Sequence, residues 1–448
     1  MTGGVKVGSW HPVPGVSGGI PPRSTRHLGT PAPGARDALH DRTHLGVISL
    51  SPDRGRTGAA GRRAGVRHDD PSGRRFRSRR VAGGAMAHIV LDARGYFTTT
   101  GRYIRKLVEW LARCPDDDNH YTLVLPADRL AEWVPPSPRF HAVGSDAPFF
   151  SWAEQTDLAR LIRSLKPDVV HFCMQQQPVL LGAPRITTFH DLTLLKIHNR
   201  KKPLFVSLLR RAVGAVAFAV VAHRGRANVV VSRYSGRDLR RFTGVPERKI
   251  VLTYPAADPI SEAAVVVTVP FSRFVLFVGN QVPYKNLERL AVAVEELRRT
   301  HPDAGLVVAG RIDDDGRLLR ERRPDLMNRV HFAGYVSDAQ LRWLYENASV
   351  YAFPSFFEGF GLPGLEAMRH GCPVASSSAT CLPEVYGDAA RYFPPGDVQR
   401  MARALAEVLD DPELREELVR RGRRKADEYS WERMAAQTLA TYRRAIDR

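Results

Sequence analysis

Val350-Tyr351-Ala352-Phe353-Pro354-Ser355-Phe356-Phe357-Glu358-Gly359-Phe360-Gly361-Leu362-Pro363-Gly364-Leu365-Glu366 decides how this 448-residue chain is read. Its first four residues form an unbroken apolar run, as a strand buried on both faces does. Pro363 suits the first position of a helix, and Gly371 followed by Pro373 supplies the stop. Between strand and helix lies a glycine-rich turn flanked by two carboxylates, Glu358 and Glu366. Unsatisfied backbone N–H groups at such a helix start favour phosphate or another anion. Glycine lets main chain approach a ligand closely, and carboxylates accept hydrogen bonds from sugar hydroxyls. Strand, turn and helix together suit a sugar attached to a diphosphate.

The same residues permit a second reading. Gly359, Gly361 and Gly364 satisfy G-x-G-x-x-G, and Glu384 follows about twenty residues later, the position of a ribose-binding acid in a dinucleotide fold. The context fits poorly. Residues 354–358 separate the first glycine from the strand, where a dinucleotide site needs the turn at once. Glu384 also falls well past the next strand, Val374-Ala375-Ser376. A third reading is a plain turn whose glycines serve geometry alone.

Outward from this unit, short apolar strands alternate with helical stretches. After Met86, strands are expected at 89–91, 121–125, 169–172, 186–189, 229–231 and 250–252, with helices at 103–111, 152–165 and 204–222. Residues 255–270 break the pattern with three prolines and read as a linker. A second series follows, with strands at 275–278, 306–309, 330–332, 350–353 and 374–376. Helices are expected at 287–299, 339–347 and 363–370, with further helices near 398–409 and 412–426 packing outside. Alternation of this kind predicts α/β domains whose parallel sheets are covered on both faces.

Composition narrows the classes. Hydrophobic content of 43% is ample for buried cores. No apolar run approaches the roughly 18–20 residues of a membrane span; the nearest, 212–222, is expected to be a buried helix. Cys114, Cys173, Cys372 and Cys381 lack metal-ligand spacing and fit a reducing cytoplasm, with no disulfide and no zinc site assigned. The runs 116–118 and 313–315 each place three aspartates in a polar turn, which does not suggest a metal site. Net charge is +19, and more than half of the excess lies in residues 1–85. That segment is rich in glycine and proline, lacks a periodic pattern, and reads as a disordered basic leader. It has neither a secretory core nor a nucleic-acid motif, so no nucleic-acid partner is expected. Translation from Met86 is the favoured account, since Ala87-His88-Ile89-Val90-Leu91-Asp92 reads as the approach to a first core strand.

Several residues stand where open parallel sheets bind ligands, beyond the carboxyl ends of strands. Lys285 follows the strand ending at Val278, and its ammonium could neutralise a leaving diphosphate; an ordinary exposed lysine is the bland alternative. Arg311 follows the next strand, where a solvated side chain is an equal possibility. His190 terminates Ile186-Thr187-Thr188-Phe189. A lone histidine is more often structural than functional, and Asp191 either orients it or caps the following segment.

Glu358 to Glu366 resembles the E-x7-E motif of the retaining glycosyltransferases of family 4, glycosyl transferases group 1, which have the GT-B fold. Phe274-Val275-Leu276-Phe277-Val278-Gly279-Asn280, with Pro283-Tyr284-Lys285-Asn286, resembles the strand and donor-diphosphate loop of that family. Leu382-Pro383-Glu384-Val385 and Gly387-Asp388-Ala389-Ala390 resemble the segment downstream, and Ser430-Trp431-Glu432-Arg433 the start of its closing helix. More loosely, Thr98-Thr99-Thr100-Gly101-Arg102-Tyr103 and Thr188-Phe189-His190-Asp191 resemble its amino-terminal loop and active-site histidine segment. The resemblance covers about residues 86–448.

The resemblance implies two Rossmann-like domains with parallel sheets facing across a cleft. It places an acceptor domain at 86–254, the linker at 255–270, a nucleotide-sugar-binding domain at 271–430, and a closing helix at 431–448 that returns to the first domain. His190 and Glu358 become the catalytic candidates, Glu358 contacting the donor sugar. Donor-binding candidates are Gly101, Asn280, Lys285, Arg311, Phe360, Gly361, Leu362 and Glu366. Glu366 would hold ribose hydroxyls from the first turn of its helix, where the dipole favours an acid. Phe360, Gly361 and Leu362 would offer backbone amides, and Gly101 would let main chain lie beside phosphate. There are two departures. Asn280 stands where many members carry an arginine for the diphosphate, and Thr99 where a glycine is common.

No cofactor or metal is implied, the nucleotide diphosphate sugar being a substrate, with GDP-mannose the first donor to test. The expected acceptor is a glycan or a lipid-linked acceptor, and the expected location of the protein is the cytoplasm, including the inner face of the membrane as a peripheral protein. Arg200-Lys201-Lys202 and Arg210-Arg211 could support peripheral membrane contact, although a solvated helix face explains them as well. An NAD-dependent oxidoreductase and a non-catalytic sugar-nucleotide-binding scaffold are the rivals.

Overall fold

The computed structural model describes residues 86–98, 101–115, 117–196 and 204–447. The expectations for the 1–85 leader, for Thr99, Thr100 and Asp116, and for Arg200, Lys201 and Lys202 fall outside them.

Two all-parallel sheets carry the described chain. The first contains β1 (His88–Asp92), β2 (His120–Pro126), β3 (Phe140–Ser145), β4 (Val169–Phe172), β5 (Arg185–Phe189), β6 (Ala227–Val230) and β7 (Ile250–Leu252). Their spatial order is β3-β2-β1-β4-β5-β6-β7. The second contains β8 (Arg273–Val278), β9 (Ala304–Ala309), β10 (Val330–Gly334), β11 (Val350–Phe353), β12 (Val374–Ser377) and β13 (Ala390–Phe393). These lie in the order β10-β9-β8-β11-β12-β13. In each sheet the order reverses direction next to the first strand, between β1 and β4 and between β8 and β11. Such a reversal opens a crevice at the strands' carboxyl ends, where ligands of open α/β sheets bind.

Apolar strands follow from double coverage. Ile89 and Leu91 of β1 join a core with Leu107 and Val108 of the Arg102–Arg113 helix. Val90, pointing the other way, packs with Leu158 and Ile162. In the second sheet, Val275 and Phe277 of β8 meet Leu290 and Val294 on one face, with Met401 and Leu405 in the same cluster. Burying a side chain of this kind stabilises by about 1.5–3 kcal/mol.

The edge strands β3 and β13 were not among those expected. Gly144 and half-exposed flanks interrupt β3, and exposed Arg391 interrupts β13. An edge strand has one neighbour and thinner cover, so it lacks the continuous apolar signature of the strands inside. The expected 152–165 helix opens with a π-helical turn, Glu154–Leu158, before the regular turns of Ala159–Leu165.

The Leu204–Arg224 helix corrects the expectation that 212–222 is buried. Phe218, Val221 and Ala222 are in the core, but Leu208, Leu209, Val213 and Val216 lie on an exposed face, with Val216 66% accessible.

Residues 255–270 are irregular and lie against the second sheet's helices, where the Arg342 guanidinium donates to the Ile260 and Glu262 carbonyls. The final helix, Trp431–Ile446, packs on the Arg102–Arg113 helix of the first lobe. Its Tyr442 hydroxyl meets His171 Nδ1 at 2.6 Å, and His171 Nε2 meets Thr188 Oγ1 at 2.8 Å. Burial pushes the His171 imidazole down to about 3, with His190 adding a smaller push in the same direction, so it is neutral.

Candidate active site

The loops after β5 and β11, one from each sheet, meet. His190, directly after β5, touches the E-x7-E turn across the lobes. A Cβ on Gly359 would overlap the His190 carbonyl oxygen, so only glycine lets these main chains meet. Ser235 Oγ lies 3.1 Å from the His190 carbonyl and 3.3 Å from that of Gly359, stitching both lobes at this point.

Lys285 and Glu358 come together. The 283–285 turn after β8 places Nζ 2.6 Å from Glu358 Oε1, with both side chains largely buried. Two features hold Lys285 there. Asn286 adopts the left-handed conformation, φ 65°, and its amide donates to the Pro354 and Pro395 carbonyls at 3.0 and 2.7 Å. The Phe356 amide also bonds the Tyr284 carbonyl at 2.8 Å. A protonated lysine beside an acid at a strand's carboxyl end can bind an anionic leaving group while the acid receives sugar hydroxyls.

Glu366 requires a correction. The helix is Leu362–Arg369, its Pro363 is the second helical residue, and its first turn holds no acid. Glu366 therefore lies one turn further in, where the dipole no longer accounts for it. Tyr345 instead donates to Oε2 at 3.2 Å, and Arg102 of the opposite lobe forms an ion pair with Oε1. Burial keeps the Tyr345 hydroxyl protonated.

Gly361 caps this helix at φ 103° and contributes no side-chain cap. Pro363 has no N–H and the Gly364 amide donates to the Gly361 carbonyl at 3.2 Å, so the Leu362 amide is the first-turn donor left for a ligand. The Phe360 side chain is buried against Tyr254 and Tyr429, so its backbone alone is offered to the site. Leu362 begins the helix and is half-buried.

His190 donates Nε2–H to the Cys173 carbonyl at 2.9 Å and meets the Tyr103 ring edge-on at 4.9 Å. Burial lowers its pKa, with the Cys173 bond and Asp191 opposing that shift. In the neutral ring Nδ1 is then the remaining polar atom, and it is an acceptor. Asp191 caps the next segment, its Oδ1 accepting from the Thr193 amide at 2.7 Å.

The remaining expectations separate. Gly101 is buried and begins the Arg102–Arg113 helix, but a Cβ there would clash with the Gly95 and Tyr96 carbonyls of its own loop. Asn280 is exposed at the end of β8. Arg311, exposed after β9, stacks over the Tyr335 ring at 5.3 Å and is not drawn to Lys285. Asp313 caps the Asp314–Arg322 helix and accepts from the Gln281 amide at 2.8 Å. Asp117 accepts from Asn119 and Tyr121. Both have structural employment. Among the described residues, no group of three or more acidic, histidine or cysteine side chains is placed to hold a metal.

Each glycine of the dinucleotide pattern has another explanation. Gly359 admits His190, and Tyr386 fills the space a Cβ would need at Gly361 and Gly364. Glu384, the supposed ribose acid, accepts from the amides of Arg233 and Tyr234 at 2.7 and 2.9 Å and from Tyr254 OH at 2.9 Å. It caps the Arg233–Thr243 helix of the other lobe. Sequence reasoning missed Arg102, Tyr345 and Glu384 in these roles. Only Arg102, beside Gly101, carried a local hint.

Residues 269–425 match the family described as Glycosyl transferases group 1, and residues 100–260 match Glycosyltransferase Family 4. Among similar proteins, the O-antigen chain mannosyltransferase B of Escherichia coli is 30% identical over 58% of this chain and 70% of its own length. The phosphatidyl-myo-inositol mannosyltransferase of Mycolicibacterium smegmatis is 30% identical over 61% of this chain and 70% of its own length. In fold, sucrose-phosphate synthase from Thermosynechococcus elongatus superposes with a TM-score of 0.65 at 19% identity, covering 80% of this chain and 98% of that one. The oxidoreductase reading is not favoured. The chain belongs to the group 1 glycosyltransferases of family 4, has the GT-B fold, and is a hexosyltransferase that draws on a nucleotide-sugar donor.

Proposed function

We propose that this enzyme transfers mannose, with retention at the anomeric carbon, from GDP-mannose to a glycan or lipid-linked acceptor of a surface polysaccharide or glycolipid. One observation carries the reading: Lys285, Glu358 and Glu366 lie around the E-x7-E turn and its helix, with His190 against that turn from the other lobe. Lys285 meets the diphosphate as its negative charge grows, and the Leu362 amide after Gly361 adds a fixed dipole. Glu358 and His190 Nδ1 accept from sugar hydroxyls, and Glu366 receives the ribose. The leaving phosphate oxygen takes the acceptor's proton on the face it departs from, which preserves configuration. The mannosyl donor is supported by the names of both curated relatives, and the lipid-linked acceptor by that of the mycobacterial one.

A panel of nucleotides and nucleotide sugars tests the donor, because a ligand at 100 times its Kd stabilises the folded state by about 2.7 kcal/mol. GDP-mannose and GDP are expected to raise Tm above the UDP and ADP series. Donor hydrolysis should fall about 100-fold or more in Lys285→Ala and also be lost in Glu366→Ala. A UDP-only response would replace the donor; hydrolysis unchanged in both variants would end the catalytic assignment.

No helix among the described residues is long and apolar enough to cross a membrane. The exposed Leu208, Leu209, Val213 and Val216 face instead suits peripheral contact with a bilayer surface, consistent with a lipid-linked acceptor. Val213→Asp with Val216→Asp should weaken sedimentation with anionic vesicles while leaving Tm unchanged. Equal sedimentation with and without the charges would refute that contact.

A further inference from the structure

We propose that Arg102 is a donor-positioning residue that reaches from the first lobe, shares Glu366 with the nucleotide ribose, and gives the diphosphate the positive charge that Asn280 does not. The inference rests on the donor reading above and extends it to a side chain from the lobe assigned to the acceptor.

The first support is geometry. Arg102 opens its helix directly after buried Gly101, whose loop is too tight for a Cβ. This fixes where the arginine stem leaves the first lobe. Its guanidinium pairs with Glu366 across the lobes, yet the two partners differ in freedom. The Arg102 side chain is 40% exposed and that of Glu366 only 7%. Tyr345 holds the other Glu366 oxygen. The carboxylate is the fixed partner and the guanidinium the movable one.

The second support is charge. Lys285 is already matched by Glu358, and Arg311 is engaged with the Tyr335 ring. Asn280 is neutral. With Arg102 matched by Glu366, each of the two ion pairs at the E-x7-E acids is neutral before any donor arrives. A nucleoside diphosphate brings its own negative charge and needs a cation not wholly spent on protein. A guanidinium has five N–H donors in a planar fork, so one edge can hold Glu366 while the other turns to phosphate. Ribose hydroxyls donating to Glu366 weaken its hold on Arg102 and favour that turn.

A simple latch between lobes is the bland alternative. It is weakened by Lys106, one turn further along the same helix, which pairs with Asp258 of the linker at 2.6 Å and holds this face without Arg102. The two accounts differ in what they predict for nucleosides.

Calorimetric titration of the full chain and of Arg102→Gln with GDP, GMP and guanosine separates them, the uridine series being used if the unaltered protein prefers it. In Arg102→Gln, diphosphate affinity is expected to fall about 10- to 100-fold, the worth of a charge-assisted hydrogen bond. Guanosine should bind as well as before or more tightly, because Glu366 has lost its competitor. Adding Asn280→Arg to Arg102→Gln should recover part of the diphosphate affinity, and no recovery counts against the charge account. No loss for the diphosphate, or an equal loss for guanosine and GDP, overturns the proposal while leaving the donor reading intact. Failure of the unaltered protein to bind any of these nucleotides overturns the donor reading and this proposal with it.

Discussion

His171 shows how one side chain sets a property of the protein. It is fully buried between Tyr442 and Thr188, and both ring nitrogens are engaged. Its folded pKa is about 3, against about 6.5 in an unfolded chain. Between those values the unfolded state takes up a proton that the folded state refuses. Stability therefore rises with pH through this window and is lost as pH falls below about 6.5, by at most about 1.4 kcal/mol per pH unit for one group. His88, His190 and His370 are shifted in the same direction by burial and add to the trend. The expected result is a flatter Tm-versus-pH curve between pH 7 and 5 for His171→Gln than for the parent. Parallel curves would mean that His171 does not govern acid sensitivity. Nothing local announced this role: Val169-Val170-His171-Phe172 reads as a strand, and the partners come from β5 and the last helix. Lys285 and Glu358 were legible because each sits in a short motif at a strand's carboxyl end.

Among elements, the Arg233–Thr243 helix shows where periodicity runs out. It is rich in arginine, presents few apolar residues, and was not expected from the sequence. Two devices start it: Ser232 accepts from the Ser235 amide, and Glu384 of the other lobe accepts from the amides of Arg233 and Tyr234. An acid at those orphan amides is stabilising both by hydrogen bonding and by the helix dipole. Glu384→Ala should lower stability by about 1–2 kcal/mol, with Glu384→Gln milder because its carbonyl still accepts. Urea denaturation checks the order, and equal midpoints for all three proteins would remove Glu384 from this role. The exposed face of the Leu204–Arg224 helix gives the complementary lesson. Its composition suggested burial, but among its described side chains it is the Phe218, Val221 and Ala222 side that joins the core.

In the whole molecule, function depends on how the two lobes meet. Gly359 is one such contact, with His190 main chain where its Cβ would be. Gly359→Ala is expected to wedge the lobes apart there and cut kcat by about 100-fold or more, as small misplacements of reacting groups do. Because one apolar cluster runs through both sheets, from Ile89 and Leu91 to Leu276 and Tyr351, Tm should fall as well. Circular dichroism melting together with transfer assays checks both halves, and near-normal turnover would show that the closed contact is dispensable. The Arg102–Glu366 pair joins the two lobes, so donor binding in the proposed mode would link closure to affinity.

Alternating apolar strands and helices sufficed to predict two parallel α/β units, since strands covered on both faces must be continuously apolar. The Glu358–Glu366 turn and the Lys285 loop were likewise readable, because a glycine-rich helix start is written within one strand–turn–helix unit. The tertiary structure alone decided that Arg102 takes Glu366, that Glu384 caps a helix instead of binding ribose, and that His190 spends its N–H on Cys173. Each of these joins segments far apart in the chain. Their hydrogen bonds and charges acquire partners only when folding brings those segments together, and no local pattern records the meeting.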